Sequence, residues 1–257
     1  MKLIQMGIVL ITIIVTMEAS AALMPTSCES CHKKLVAGKV VHPALDAGCS
    51  YCHSGVDTAK VPHTQTNKVV DGLSDIEPAL CYQCHATFTG KTVHPALRAG
   101  CTFCHDPHSS PNRTLLVKPV PELCFICHAQ SLFNRKHVHP PVREGKCLTC
   151  HNPHASGNIK LLIKAPEETC LQCHRTVGKF PHVIADSFEG AHPIGLPVKG
   201  KPAPRDPAQP DQPLSCISCH TPHSADSVRL YRYRAKKPFE LCIYCHRKTY
   251  GAAPGKP

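Results

Sequence analysis

The chain alternates short apolar patches with prolines and histidines, and it contains a single long apolar run. That run extends from Gly7 to Met17 and is followed by the small residues of EASAA. It is too short to cross a bilayer, and Ala19 and Ala21 suit cleavage by a signal peptidase after Ala21. We therefore expect residues 1–21 to be a signal peptide and the mature chain to be exported. A retained membrane anchor is the alternative.

Beyond this run the hydrophobic pattern supports neither long helices nor long strands. No later stretch is apolar enough to span a membrane, and 25 prolines interrupt any regular period. Aromatic residues make up 5% of the chain and tryptophan is absent, which is too few large side chains for an ordinary core at this length. The pattern predicts mostly coil with short α-helices and little β structure, and a cofactor that supplies the interior.

All 18 cysteines fall into CxxC pairs, and a histidine follows each pair directly. CxxCH is the attachment signature of c-type haem, in which two thioether bonds hold the porphyrin and the histidine is directed at the iron. Structural zinc has no need of a histidine after each pair, and disulfide scaffolds are usually shorter. The sequence therefore predicts nine covalently bound haem c groups. The nine motifs, numbered 1 to 9 in chain order, are Cys28-Cys31-His32, Cys49-Cys52-His53, Cys81-Cys84-His85, Cys101-Cys104-His105, Cys124-Cys127-His128, Cys147-Cys150-His151, Cys170-Cys173-His174, Cys216-Cys219-His220 and Cys242-Cys245-His246.

The second axial position of each iron is predicted to be a histidine, which we call the distal histidine. Only Met24 would remain after signal-peptide cleavage, so methionine cannot ligate at least eight of the haems. Ten histidines lie outside the motifs, close to the nine that are needed, and either His137 or His182 is the spare one. The predicted distal ligands are His42, His63, His94, His108, His139, His154, His182, His192 and His223.

Three of these histidines follow a motif histidine after only three residues, in CHDPH, CHNPH and CHTPH. His108 can lie at most about 10 Å from His105 along the backbone, which is too short a tether to reach the far face of the same porphyrin. The proline before it fixes φ and keeps the preceding residue out of a helix. We therefore expect His108, and likewise His154 and His223, to bind a different haem, which forces the porphyrins to pack closely.

The chain repeats a unit that contains two motifs. VHPALDAGCSYCH at 41–53 recurs as VHPALRAGCTFCH at 93–105, VHPPVREGKCLTCH at 138–151 is a third copy, and AHPIG at 191–195 begins a fourth. A short apolar, strand-like piece follows the second motif of the later units. The haems are expected to pair as 1–2, 3–4, 5–6 and 7–8, with the ninth alone. The first unit lacks the close PH histidine, for which His63 is the expected substitute.

The repeat divides the chain after the signal peptide. Residues 22–118 hold units one and two with haems 1–4, and 119–192 hold unit three and the start of unit four with haems 5–7. The Pro-rich stretch 193–213 is expected to be an extended, solvated linker, or alternatively a partner-docking arm. Residues 214–257 hold haems 8 and 9. The basic run RLYRYRAKK at 229–237 matches the strand-like piece of earlier units, so we expect a mainly structural role beside haem propionates; a patch for an acidic partner is the alternative.

The formal net charge of +11 does not indicate a nucleic-acid partner once the cofactors are counted. A ferric haem with two ionised propionates contributes about −1, so nine of them would lower the net charge to about +2. We predict that many lysines and arginines offset propionates.

The unit of HP, CxxCH and CHxPH resembles the doubled-CXXCH multihaem cytochromes c over essentially the whole mature chain. The resemblance implies a multihaem cytochrome, mostly coil with short α-helices wrapped around a stack of bis-histidine haems. It also implies an electron carrier that lies in the periplasm, in an outer-membrane conduit or outside the cell. Redox proteins are the implied partners, and an outer-membrane porin, other multihaem cytochromes or filaments of the chain itself stay open. The nine-haem cytochromes of sulfate reducers use CxxCHH and CxxxxCH, which do not occur here.

Two functions are compatible with these motifs. Electron transfer is favoured because nine irons with two histidine ligands each leave no open coordination site, and no catalytic residue is predicted. The alternative is a multihaem reductase for nitrite, hydroxylamine or a sulfur oxyanion, which needs one open haem. Its usual signature, CxxCK, is absent. Haems 2 and 9 are the positions where the distal ligand is least regular.

Overall fold

The computed structural model describes residues 27–177, 204–206 and 209–246. The predicted signal peptide and much of the Pro-rich stretch lie outside these residues. Regular elements are short throughout, so the prediction of mostly coil with short helices and little β structure is confirmed. Among the described residues, no helix is long and apolar enough to cross a membrane.

The α-helices have four to eight residues and the strands two to five. The helices of the described residues are α1 (Cys28–Cys31), α2 (Cys49–Cys52), α3 (Ala79–Tyr82), α4 (Pro140–Arg143), α5 (Pro166–Leu171), α6 (Cys216–Cys219) and α7 (Pro238–Cys245). The strands are β1 (Val40–Val41), β2 (Val56–Asp57), β3 (Thr64–Gln65), β4 (Thr92–Val93), β5 (Ser109–Ser110), β6 (His137–Val138), β7 (Ala155–Ser156), β8 (Arg205–Asp206), β9 (Gln209–Pro213) and β10 (Ser224–Ala225). The 3-10 helices are Lys33–Val36, Pro43–Ala47, Val70–Gly72, Pro95–Ala99, Arg113–Leu115, Cys124–Ile126, Gln130–Leu132, Cys147–Thr149 and Ile159–Leu161.

Every CxxCH motif closes one helical turn. In all nine, the backbone N–H of the histidine donates to the carbonyl of the first cysteine, with N···O distances of 2.9–3.1 Å. The turn forms both where the motif starts a regular helix, as at Cys49–Cys52, and where it is an isolated turn, as at 101–104. Residues i, i+3 and i+4 of a helical turn share one side. The two thiols and the imidazole of each motif are therefore presented together.

Three antiparallel two-stranded ladders join consecutive units. β1 pairs with β5, β4 with β7 and β6 with β10. In each ladder the segment before an HP histidine pairs with the segment after the PH histidine of the next unit. The first two ladders approach a glycine closely, because a Cβ on Gly38 would lie 2.5 Å from Ser110 N and one on Gly90 would lie 2.7 Å from Ser156 O.

The strand-like piece predicted after the second motif of each unit is a tight turn instead. Arg113–Leu115 and Ile159–Leu161 are 3-10 turns with left-handed residues inside, Thr114 and Lys160 both having φ of 53°. Only one residue of each piece pairs with the motif histidine, as in the bridges from His105, His151 and His220 to Leu116, Leu162 and Tyr231. A strand would point its carbonyls alternately sideways, whereas this turn directs one carbonyl to the histidine ring.

The polypeptide has almost no hydrophobic interior of its own. The largest fully buried side chains in the described residues are only serines, Ser110 and Ser224, each 2% exposed. The buried apolar residues are few and mostly small: Ala155, Leu162, Leu214, Ala225, Tyr231 and Ala235. This agrees with an interior that a cofactor completes.

Part of the Pro-rich stretch is folded against the protein. β8 and β9 form a hairpin, and Asp206 within it is 2% exposed. Its carboxylate accepts from the Ser218 hydroxyl at 2.8 Å and from Arg232 Nη1 at 3.0 Å. This end of the stretch is therefore not extended in solvent, because one buried carboxylate fixes it to α6.

Candidate metal and cofactor sites

Seven motif histidines face a histidine from outside the motifs. Their ring centres are 5.9–6.1 Å apart, and the angles between ring planes range from 10° to 38°. The separation is nearly the same in all seven, although the partners come from different parts of the chain. The pairs are His32–His63, His53–His108, His85–His42, His105–His154, His128–His94, His151–His223 and His174–His139.

This separation fits one metal ion between two imidazoles. A histidine nitrogen binds a metal at about 2.0 Å, so two nitrogens on opposite sides of one ion lie about 4 Å apart and their ring centres about 6 Å apart. Ordinary aromatic pairs have ring centres spread over about 4.5–7 Å, whereas all seven pairs here fall within 5.9–6.1 Å. Together with the two thiols on each motif turn, the pairs therefore suit a covalent haem with an imidazole on each face.

Backbone carbonyls fix the tautomer of at least seven histidines, namely six from these pairs and His220 of motif 8. Their Nδ1 atoms lie 2.7–3.0 Å from a carbonyl oxygen. A carbonyl can only accept, so Nδ1 carries the proton and Nε2 keeps its lone pair for a metal. The ring and carbonyl partners are His42 with Pro107, His53 with Asp71, His63 with Lys60, His94 with Pro153, His105 with Thr114, His151 with Lys160 and His220 with Arg229.

Sequence reasoning missed these carbonyl partners, although a signal for three of them is present. Thr114, Lys160 and Arg229 each follow their motif histidine by nine residues. They have unrelated side chains, because only the carbonyl is used. A constant spacing without a constant residue type was therefore the clue.

The ladders place the two kinds of distal histidine side by side and direct them to different motifs. The backbone N–H of His42 donates to the His108 carbonyl at 2.8 Å, yet His42 faces His85 and His108 faces His53. The second ladder repeats this with His94 and His154, and the third with His139 and His223. Each ladder thus serves one motif of each of two units, and His108 does not face His105.

Two phenylalanines hold distal rings and were also missed. Phe88 lies 4.1 Å from the His154 ring with 17° between the planes, and Phe133 lies 4.8 Å from the His223 ring. In the first ladder Val36 takes this position, because Val36, Phe88 and Phe133 each precede the HP histidine by six residues. The second and third ladders therefore have an aromatic support that the first lacks.

Burial favours the neutral form of the three PH histidines of the ladders. It lowers the pKa of His223 to about 4 and also lowers the pKa of His108 and His154. Neighbouring histidines lower these pKa values further, whereas Asp106 partly offsets the lowering at His108. A neutral imidazole has the lone pair that metal binding requires, so these side chains are ready ligands at neutral pH.

The thiols of consecutive motifs are neighbours along the whole series. After burial, the thiol of Cys81 is the main cause that raises the pKa of Cys101 to about 12. The same first-cysteine contact joins motifs 1–2, 5–6 and 7–8. The second cysteines interact across the remaining steps, from Cys52 to Cys84, Cys104 to Cys127, Cys150 to Cys173 and Cys219 to Cys245. The nine attachment sites therefore follow one another in space in their chain order.

One further cluster of ligand-type atoms belongs to the same series. Glu77, Cys81 and Cys101 offer atoms within 4.8 Å of one another. The Glu77 carboxylate already accepts from the backbone N–H and the hydroxyl of Thr102, at 2.6 and 3.1 Å. Both cysteines are attachment thiols of motifs 3 and 4, so the cluster is explained by those motifs.

The structure describes only one of the three other histidines that lie outside the motifs. His182 and His192 lie outside the described residues. His137 lies in β6 opposite Ala225, and it belongs to none of the seven ring pairs. For motif 8 the structure places His220 against the Arg229 carbonyl and 5.6 Å from the Tyr231 ring.

Nine turns with two thiols and an imidazole, of which seven face a second imidazole in the described residues, define a multihaem c-type cytochrome. The chain belongs to the Doubled CXXCH motif family, which matches residues 42–90, 94–132, 139–179 and 207–251. Each of the first three matches starts at an HP histidine and contains an even-numbered motif followed by the next odd one. The family repeat is therefore offset by one motif from the units predicted above.

A relative supports the same class. Over 135 residues the chain is 34% identical to Multiheme cytochrome MtrA of Shewanella baltica (strain OS185). The matched stretch covers 49% of this chain and 38% of the relative, so the chain spans well under half of that protein's length. Together the family and the relative identify a multihaem cytochrome with covalently bound haem c.

Proposed function

We propose that the chain is an exported nonahaem c-type cytochrome that carries electrons through closely packed bis-histidine haems in anaerobic or extracellular respiration. The seven imidazole pairs with a common separation of about 6 Å carry this proposal. An iron with two imidazole ligands has no position left for a substrate, which favours electron transfer over a reductase. Two histidine ligands also favour a lower potential than histidine with methionine.

The residues of the chain would hold each haem in three ways. The two thiols of each motif would form the thioether bonds, and the motif histidine and the distal histidine would bind the iron from opposite faces. The Nδ1–carbonyl hydrogen bonds would fix each ring and raise its basicity as a ligand. When bound, haem supplies the one-electron chemistry, and the fold sets its orientation.

The ladders supply a rule that can be extended to motifs 8 and 9. In each ladder the HP histidine faces the first motif of the next unit, as His94 faces His128. The same rule assigns His192 to the iron of motif 9. His182 then remains for motif 8, and His137 is the spare histidine.

The thiol contacts support a single unbranched path from haem 1 to haem 9. Each contact joins consecutive motifs, so each haem would have its attachment edge beside that of the next. Electrons would move stepwise between neighbours, and redox proteins would exchange electrons with the path. The predicted signal peptide supports location in the periplasm, in an outer-membrane conduit with a porin, or outside the cell.

Spectroscopy of the purified holoprotein tests this function. Intact mass should show nine haems, and absorption spectra should be low-spin in both oxidation states without change on addition of carbon monoxide. A redox titration should give midpoints in the range of bis-histidine haems. Stoichiometric carbon monoxide binding by one haem would instead favour the reductase, and fewer than nine haems would refute the proposed count.

A further inference from the structure

We propose that the basic segment before α7 is a docking surface for an acidic electron-transfer protein, which exchanges electrons at haem 9. The inference rests on the proposed electron-transfer function and adds a partner class and a location. The surface consists of four exposed cations, Arg229, Arg234, Lys236 and Lys237, and is called the basic surface below.

The structure separates the basic run into inward and outward side chains. Tyr231 is 9% exposed, Arg232 pairs with the buried Asp206, and Tyr233 stacks on Tyr244 with 4.4 Å between ring centres. Ala235 is 3% exposed. These side chains hold the segment in place, so the structural role expected from the sequence applies to only part of the run.

The four outward cations have no ion-pair partner among the residues that the structure describes. Of the neighbouring carboxylates, Asp226 pairs with Arg135. The Glu240 carboxylate accepts from the backbone N–H of Lys236 at 2.7 Å and offers one negative charge beside the four positive ones. The hydrogen bond from Arg135 is the main reason that the pKa of Asp226 is lowered. Arg234 and Lys236 contribute less, through longer-range electrostatic attraction. A net positive charge is thus left at this surface.

Comparison with the other units shows that haem propionates do not explain all four cations. The equivalent segment has two exposed cations in unit two, Arg113 and Lys118, and two in unit three, Lys160 and Lys164. Each of these segments follows the second motif of its unit, so the number of nearby propionates should be the same. About two of the cations in unit four therefore exceed what the other units use.

Position and surroundings favour a protein partner. The basic surface directly precedes α7, which carries both attachment cysteines of motif 9. Val228 and Phe239, 76% and 58% exposed, lie at the two ends of the cationic segment. Transient redox complexes are small, with a few apolar contacts, and opposite charges speed the encounter. An acidic face around the partner's redox centre would match this surface.

The test measures electron transfer from the reduced holoprotein to a rubredoxin, a small acidic iron protein, by stopped flow. The patch variant carries Arg234→Glu, Lys236→Glu and Lys237→Glu. The control variant carries Lys33→Glu, Lys34→Glu and Lys39→Glu, which changes the net charge equally near motif 1. At low ionic strength we expect the patch variant to lower the second-order rate constant by about 10-fold and the control by less than about 2-fold. The difference should disappear at high salt.

Three further measurements separate the outcomes. Oxidation by a neutral quinone should be equal in all three proteins; if the unaltered protein reacts with neither oxidant, the proposed electron-transfer function fails as well. Equal loss of rubredoxin rate in both variants would show that only net charge matters and would overturn the docking surface. A shifted midpoint potential or lost haem in the patch variant would assign the cations to propionates and would overturn it too. If the basic surface causes salt-dependent binding to anionic phosphatidylglycerol vesicles but the patch variant leaves the rubredoxin rate unchanged, the docking surface for a protein would also be overturned.

Discussion

The surroundings of motif 1 and the three ladders complete their candidate metal sites in different ways. His63, which faces His32, lies on a loop of the same unit and hydrogen-bonds to the Lys60 carbonyl three residues before it. Each ladder instead places histidines of two units side by side, such as His94 and His154, and directs them to two different motifs. The distal histidine of motif 1 therefore comes from the same unit, whereas each ladder supplies distal histidines from one unit to a motif of another.

Exposure follows the same division. Both histidines of the first pair are exposed, whereas His108, His154 and His223 are half-buried. The first site can therefore open without disturbing the rest. A ladder cannot open without affecting two sites at once, which makes the middle of the molecule the cooperative part.

The largest contrast should come from removing whole haems. Cys101→Ala with Cys104→Ala removes haem 4, leaving His154 and the β4–β7 ladder without their anchor, and should lower the free energy of unfolding by about 4 kcal/mol or more. Cys28→Ala with Cys31→Ala should cost less than half as much. Denaturant unfolding followed by haem absorbance, with intact mass to count haems, measures both. Equal losses would contradict the division into local and exchanged sites.

Removing single distal ligands separates spectral from structural effects. His63→Ala and His154→Ala should each convert one haem to a high-spin, carbon monoxide-binding form. His154→Ala should cost about 2 kcal/mol more in stability, because its ring also packs on Phe88 within a ladder. His137→Ala is the matched control and should leave the spectrum unchanged. A high-spin haem in that variant would assign His137 as a ligand.

Acid should weaken the ladders. Burial lowers the pKa of His223 to about 4, below the usual value of about 6.5 in an unfolded chain. Between these pH values the unfolded chain binds more protons than the folded chain. The free energy of unfolding is therefore highest above about pH 6.5 and decreases as the pH falls toward 4. A metal on the same ring would act in the same direction. Denaturant midpoints at pH 7 and pH 5 should show the loss, and His223→Gln should reduce it; an unchanged pH dependence in that variant would count against this cause.

The smallest effect should come from the aromatic supports. Phe88→Val gives the second ladder the residue that the first has at Val36, and should cost about 1 kcal/mol because Phe88 is partly exposed. The electron paramagnetic resonance signal of haem 4 should also change, since the His154 ring loses the surface that orients it. Phe88→Tyr should restore both properties. A signal unchanged by Phe88→Val would show that the ladder alone orients the ring.

Features that depend on residue type could be predicted from the sequence. Features that depend on how the backbone pairs could not. The CxxCH turns follow from cysteine and histidine spacing, and the short tether of His108 predicted a partner other than motif 4. That the partner is His53 could not be predicted, since ladders of two residues leave no hydrophobic period. The β8–β9 hairpin was missed for a similar reason, because a single buried carboxylate on Asp206 holds it.

The exchange at the ladders also constrains how such a protein can change in length. A deletion that begins in the middle of a repeat would leave one distal histidine without its motif and one iron without its distal ligand. Deletion of a whole repeat would remove equal numbers of motifs and distal histidines. Relatives of this chain should therefore gain or lose porphyrins two at a time.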